Sequence, residues 1–170
     1  GGAVALGGSA LPMSLLAGPV AAQDSAGQDS AAQGSAGDAG EEDGLPEGDL
    51  TVVRFAQGLE FAAAAAYSLA VESKLLDSQQ AELCATFGRH HTEHGTALGE
   101  LAGQSGEDLD TEPNPAVVAA LAPQLQAAAS AEAVLRVLYD IEEGAAATYL
   151  GALGQLETVA VAGPAASILP

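Results

Sequence analysis

The stretch Val52-Val53-Arg54-Phe55-Ala56-Gln57-Gly58-Leu59-Glu60-Phe61-Ala62-Ala63-Ala64-Ala65-Ala66-Tyr67 decides the fold, because much of its pattern returns later in the chain. At an offset of 82 residues Val52 meets Val134, Arg54 meets Arg136, Leu59 meets Ile141 and Glu60 meets Glu142. The alanines at 63–65 then meet those at 145–147, and Tyr67 meets Tyr149. Alanine matches are cheap in so Ala-rich a chain. The Arg, Glu and Tyr matches weigh more, since the chain holds only 4 Lys or Arg and 3 Tyr. In each copy Glu follows Arg by six residues and Tyr follows Glu by seven.

Seven residues is close to two helical turns, so each Glu shares a helix face with its Tyr. On the first copy that face reads Val53, Ala56, Glu60, Ala63, Ala64, Tyr67, Val71, which is a core stripe. A carboxylate flanked by small apolar residues is costly to bury alone, so it must be protonated, hydrogen-bonded or bound to a cation. Two helices that each place one Glu at the same depth of a bundle have the geometry that holds metal ions. Between the copies lies His90-His91-Thr92-Glu93-His94. His91 and His94 stand at i and i+3, on one face, and imidazole is the usual nitrogen ligand of a metal. The candidate ligands are therefore Glu60, His91, His94 and Glu142. The same offset sets the counterparts of the two histidines near positions 173 and 176, beyond Pro170.

Working outward, the helices place themselves. Asp49 reads as the N-cap of a first helix running to about Lys74. Asp77-Ser78 opens a second, which runs to Ala102 and stops at Gly103. Residues 104–115 form an acidic loop with two prolines. A short helix follows over about 116–128, with Pro123 expected to kink or break it. Ser130 starts the third long helix, which runs to about Leu156, and a fourth begins near Pro164. A short first connection and a long second one fit an all-α four-helix bundle of up-down pairs with a long crossover, cut short in its last helix.

Composition agrees with this. The chain has 170 residues, enough for one domain, and its 23 Asp or Glu leave a net charge of −19, which repels nucleic acid. One cysteine excludes an internal disulfide and a cysteine zinc ribbon. Six aromatics and no Trp argue against a β-sandwich or barrel. Residues 1–22 are apolar, uncharged and close on Val20-Ala21-Ala22, which reads as a secretory signal lacking its basic start. Its Gly-rich, weakly hydrophobic character is more like a twin-arginine export signal than a general secretory one, so the mature protein is expected outside the cytoplasm. Residues 23–48 repeat Gln-Asp-Ser-Ala-Gly with variations and end in Glu41-Glu42-Asp43, the composition of an acidic, disordered linker. Residues 49–170 would then hold the bundle.

Phe55 to Glu60 through Tyr67, Phe87 to His94, Tyr139 to Glu142 through Tyr149-Leu150, and Ala165 to Pro170 together resemble the ferritin-like superfamily. The likeness is to its exported actinobacterial-type members and covers about residues 50–170. It implies two iron or manganese ions held by one Glu from each of helices one and three and a Glu-x-x-His pair from each of helices two and four. Glu60 and Glu142 fall on the single-Glu positions, and His94 on the His of the second-helix pair. His91 replaces the Glu of that pair, which removes a bridging carboxylate and favours a single ion, zinc included, or no metal. Redox chemistry such as iron oxidation or peroxide handling comes with the resemblance only.

Three readings follow. The first is a metal-binding bundle, its partners a metal ion and, as an allowed state, further copies of itself, with no nucleic acid and no stable membrane insertion. The second is a metal-free bundle with a structural or interaction role. The third is a peptidase, because His90-x-x-Glu93-His94 matches the inverted zincin pattern, although a third ligand and a cleft are not evident. Tyr67 and Tyr149 are expected to pack with a hydrogen bond to the polar layer, His90 to face solvent, and Cys84 to serve as a small buried hydrophobe.

Overall fold

A computed structural model describes residues 44–104 and 106–158. They form four α-helices, α1 Glu47–Glu72, α2 Ser78–Leu101, α3 Pro115–Ala127 and α4 Ala131–Leu153, with a 3-10 turn at Gly106–Asp108. There is no strand among the described residues. The long helices α1, α2 and α4 are the expected ones. The short α3 belongs to the crossover. The expected signal, most of the linker and the fourth helix near Pro164 lie outside the described residues. Among the described residues no helix is long and apolar enough to cross a membrane.

α1 is the central element and packs against α2, α3 and α4, while α3 also packs against α4. Its inner face is alanine (Ala62, Ala63, Ala66 and Ala70 are all buried), so neighbouring backbones can come close. Leu59, Val117, Leu121, Leu125, Val134, Leu138 and Ile141 fill the space between α1, α3 and α4. On the α2 side the fit depends on absent side chains. A Cβ at Gly95 would sit 3.0 Å from the Phe61 ring, and one at Gly99 would sit 2.2 Å from Leu109 Cδ1 and 2.6 Å from Gln57 Nε2.

The ends of α2 follow the expectation. Asp77 accepts from Gln80 N and the Gln80 side chain accepts from Asp77 N, a complete capping box. At the other end Gly103 has φ +78°, with Gly103 N donating to Glu100 O and Gln104 N to Gly99 O, the paired bonds of a Schellman motif. Ser130 caps α4 as expected, its hydroxyl accepting from Ala133 N.

Three local expectations are corrected. Asp49 is not the cap of α1, which begins three residues earlier than that cap would set it, with Pro46 at the N-cap position and no side-chain cap bond. The Asp49 carboxylate is fully buried and committed elsewhere, accepting from Glu157 N (2.8 Å), Thr158 N (3.1 Å) and Thr158 Oγ1 (2.6 Å). It ties the start of α1 to the chain leaving α4. Of the two outcomes expected at Pro123, the break does not occur: α3 runs through it, its buried Val117, Leu121 and Leu125 outweighing one lost backbone bond. α4 ends at Leu153, ahead of Leu156, with Gly154 at the C-cap position.

The long crossover is pinned from inside. Buried Gln57 donates to Gln104 Oε1 (2.9 Å) and to Asp110 O (2.7 Å). Asn114 N donates to Gly58 O (2.8 Å), and the Asn114 side chain caps α3. These bonds set α3 beside Leu59 and Glu60, closing the side of the bundle where the polar residues lie.

Candidate metal centre

Glu60 sits mid-way along α1 and is 3 % exposed, and His91 sits on α2 at 7 %. Their side chains meet at 2.7 Å, Glu60 Oε2 to His91 Nδ1. His94, one turn further along α2 and partly exposed, brings Nδ1 to 3.7 Å from the same Glu60 oxygen. One ligand atom from each of these three residues lies within 4.8 Å of the other two, and among the described residues they are the group that could hold a metal ion. The i, i+3 spacing of the histidines works as expected, the two rings lying nearly perpendicular at 84°.

Glu142 joins from α4 but on the other side of the imidazole. Its Oε1 lies 3.2 Å from His91 Nε2. One ring therefore bridges the two carboxylates that the sequence repeat places at equal depth. The tyrosines complete the layer by crossing over. Tyr67, of the first copy, donates to Glu142 Oε1 of the second at 2.5 Å, and Tyr149, of the second copy, donates to Glu60 Oε1 of the first. Each repeat thus satisfies the other's acid, which is why Glu and Tyr recur together. No buried side-chain nitrogen or oxygen among the described residues is left without a partner.

The charges follow from these contacts. Burial works against a charged His91, but the bonds from Glu142 and Glu60 outweigh it and raise its pKa to about 9. Glu142 is pushed up by burial and more strongly down by His91 and Tyr67, so its pKa is lowered overall. Burial and the facing carboxylates raise Tyr67 and Tyr149 far above the usual phenol range, and both act purely as donors. Without metal the layer is then an imidazolium between acidic groups.

A cavity of about 30 Å³ lies against Glu60, His91 and Tyr149, its other walls the apolar Leu59, Ala63, Val117, Leu121, Ile141 and Ala145. It is large enough for one water-sized molecule. On the opposite side Tyr67 stacks with Phe87 at 5.8 Å and with the His91 ring at 5.4 Å.

The remaining sequence candidates fall outward. His90 is exposed, and Glu93 pairs with Arg89 on the surface at 3.6 Å. The convergent histidines are 91 and 94, so the inverted zincin pattern does not assemble here. Cys84 is buried and its thiol is pushed up by burial, as expected of a small hydrophobe. Asp49 and Gln57 were not anticipated as anchors. Their partners lie in loops far along the chain, and no local spacing signals them.

The donor set suits one divalent ion: two imidazole nitrogens and a carboxylate oxygen, facing one another in a mostly buried layer. No curated protein and no solved structure matches the chain. A family model described as ferritin-like domain matches residues 48–170, most of the chain and all of the described helices but for Glu47 at the start of α1. The duplicated Glu and Tyr pattern, the helical bundle and this match agree, and the chain belongs to the ferritin-like domain family.

Proposed function

We propose that the protein binds a metal ion in the core of its bundle, with Glu60, His91 and His94 as ligands. The observation that carries this is the meeting of Glu60, His91 and His94, with both Nδ1 atoms within 3.7 Å of Glu60 Oε2, against a largely apolar core. Glu60 would supply the negative charge, with its other oxygen held by Tyr149. His91 would exchange its Nδ1 proton for the ion. His94, the most exposed of the three, stands on the solvent side and offers a route in. An ion on these side chains would supply a Lewis-acid centre, and iron or manganese there a one-electron couple. The export reading of residues 1–22 belongs to the same proposal and rests on sequence pattern alone; the N-terminal sequence of protein recovered from the culture medium or periplasm tests it.

One observation favours a second reading, a metal-free bundle with a structural or interaction role. His91 itself supplies the positive partner that two inward carboxylates need, and its raised pKa keeps that charge at neutral pH. Metal analysis of the purified chain and of Glu60→Ala separates the two. Bound transition metal in the first and a loss of it in the second is the expected result. No bound metal in either leaves the metal-free bundle.

A further inference from the structure

We infer that Glu142 is a positioning residue and not a metal ligand, so that the core holds a single divalent transition-metal ion on Glu60, His91 and His94. This rests on the metal reading above and narrows it. The reason lies in the two nitrogens of His91. Nδ1 faces Glu60 Oε2 at 2.7 Å, the same oxygen that His94 Nδ1 approaches to 3.7 Å, while Nε2 faces Glu142 Oε1 at 3.2 Å.

A ring nitrogen that binds an ion cannot keep its proton. The neutral imidazole then carries its one proton on the other nitrogen and donates it. Here that proton points at Glu142. A carboxylate in this position fixes the tautomer, orients the ring and makes the ligating nitrogen more basic. Glu142 Oε1 also accepts from Tyr67 at 2.5 Å, so two donors hold the carboxylate toward the ring, and Glu142 is outside the convergent group of Glu60, His91 and His94. The chain of contacts runs from Tyr67 to Glu142 to His91, and each member holds the next.

Charge gives the same answer. One carboxylate and two neutral imidazoles leave a divalent ion with one uncompensated positive charge, which Glu142 balances across the His91 ring. Two imidazole nitrogens and one carboxylate oxygen suit zinc, iron(II) and their neighbours over magnesium or calcium, which prefer all-oxygen sites, and zinc(II) and cobalt(II) are the probes.

The test is equilibrium dialysis of the full chain against zinc(II), then cobalt(II), with Glu142→Ala, Glu142→Gln and Glu60→Gln beside the parent. The expected result is one equivalent per chain, with affinity about 10- to 100-fold weaker in Glu142→Ala and partly restored in Glu142→Gln, which keeps an acceptor oxygen. The cobalt(II) visible bands should stay in place in both Glu142 variants and change or vanish in Glu60→Gln. Glu142→Gln is close to isosteric and decides the matter even if Glu142→Ala fails to fold. Two equivalents in the parent, cobalt bands that move in Glu142→Gln, or an affinity that Glu142→Ala leaves unchanged would overturn the inference while the core-metal reading stands. No ion bound to the parent overturns both.

Discussion

The crossed tyrosines make unequal contributions, and the inequality can be worked from burial. Tyr149→Phe removes the hydroxyl that donates to Glu60 Oε1, and the Glu60 side chain is only 4 % exposed. Water cannot readily take the place of the lost donor. A hydrogen bond to a charged group contributes about 1.5–3 kcal/mol, and the deeply buried acceptor places this one near the upper end. Tyr67→Phe removes the donor to Glu142 Oε1, but that side chain is 28 % exposed and keeps His91 as a partner. Water can replace part of the bond, so the expected cost is about 0.5–1 kcal/mol. For a domain of this size each kcal/mol moves Tm by about 3–6 °C. In metal-free protein at neutral pH, Tyr149→Phe should lower Tm by about 8–18 °C and Tyr67→Phe by about 2–6 °C. Thermal melts followed by helical circular dichroism read both. Equal losses, or a larger loss for Tyr67→Phe, would refute the crossed arrangement and the depth assigned to Glu60.

Other perturbations reach the rest of the fold. His91 has a raised pKa, so its stabilisation is complete below the ordinary value of 6.5 and is lost as pH rises through about 9; metal-free protein should lose Tm over that window, and His91→Gln should flatten the slope. Glu142 acts in the opposite sense: its lowered pKa contributes stability above the ordinary 4.5 that disappears as pH falls through the folded value, a dependence Glu142→Gln should remove on the acid side. Asp49→Ala leaves Glu157 N, Thr158 N and the Thr158 hydroxyl without their acceptor, and should cost about 2–4 kcal/mol in a denaturant titration, with Asp49→Asn recovering part of it. Gly99→Ala drives a methyl to within 2.2 Å of Leu109 Cδ1 and 2.6 Å of Gln57 Nε2, and should cost about 1–3 kcal/mol while loosening the crossover to proteolysis.

The polar layer was legible from sequence to the extent that it repeats. Arg and Tyr are scarce enough in this chain that their recurrence at one offset marks two equivalent helices, and helical periodicity then turns Glu60 and Glu142 inward. The i, i+3 spacing likewise brings His91 and His94 to one face. What the repeat cannot show is who bonds to whom. A tyrosine seven residues from a glutamate could serve its own acid or its counterpart's, and only the packing of α4 against α1 selects the crossed pairs. Which nitrogen of His91 faces which acid is equally a matter of tertiary placement. Asp49 misled because an acid at a helix start ordinarily caps it, whereas here its partners lie 108 and 109 residues away. Pro123 misled for a related reason: the penalty is local, while the burial of Leu121 and Leu125 that offsets it depends on α1 and α4.

The centre of the account is that Glu60, His91 and His94 close on one ion. X-ray absorption at the zinc edge, on the full chain loaded with one equivalent, addresses this most directly. The expected spectrum shows two imidazole nitrogens at about 2.0–2.1 Å and oxygen ligation beside them, with one imidazole lost in His94→Ala. A first shell of oxygen alone, or one that His94→Ala leaves unchanged, would contradict it.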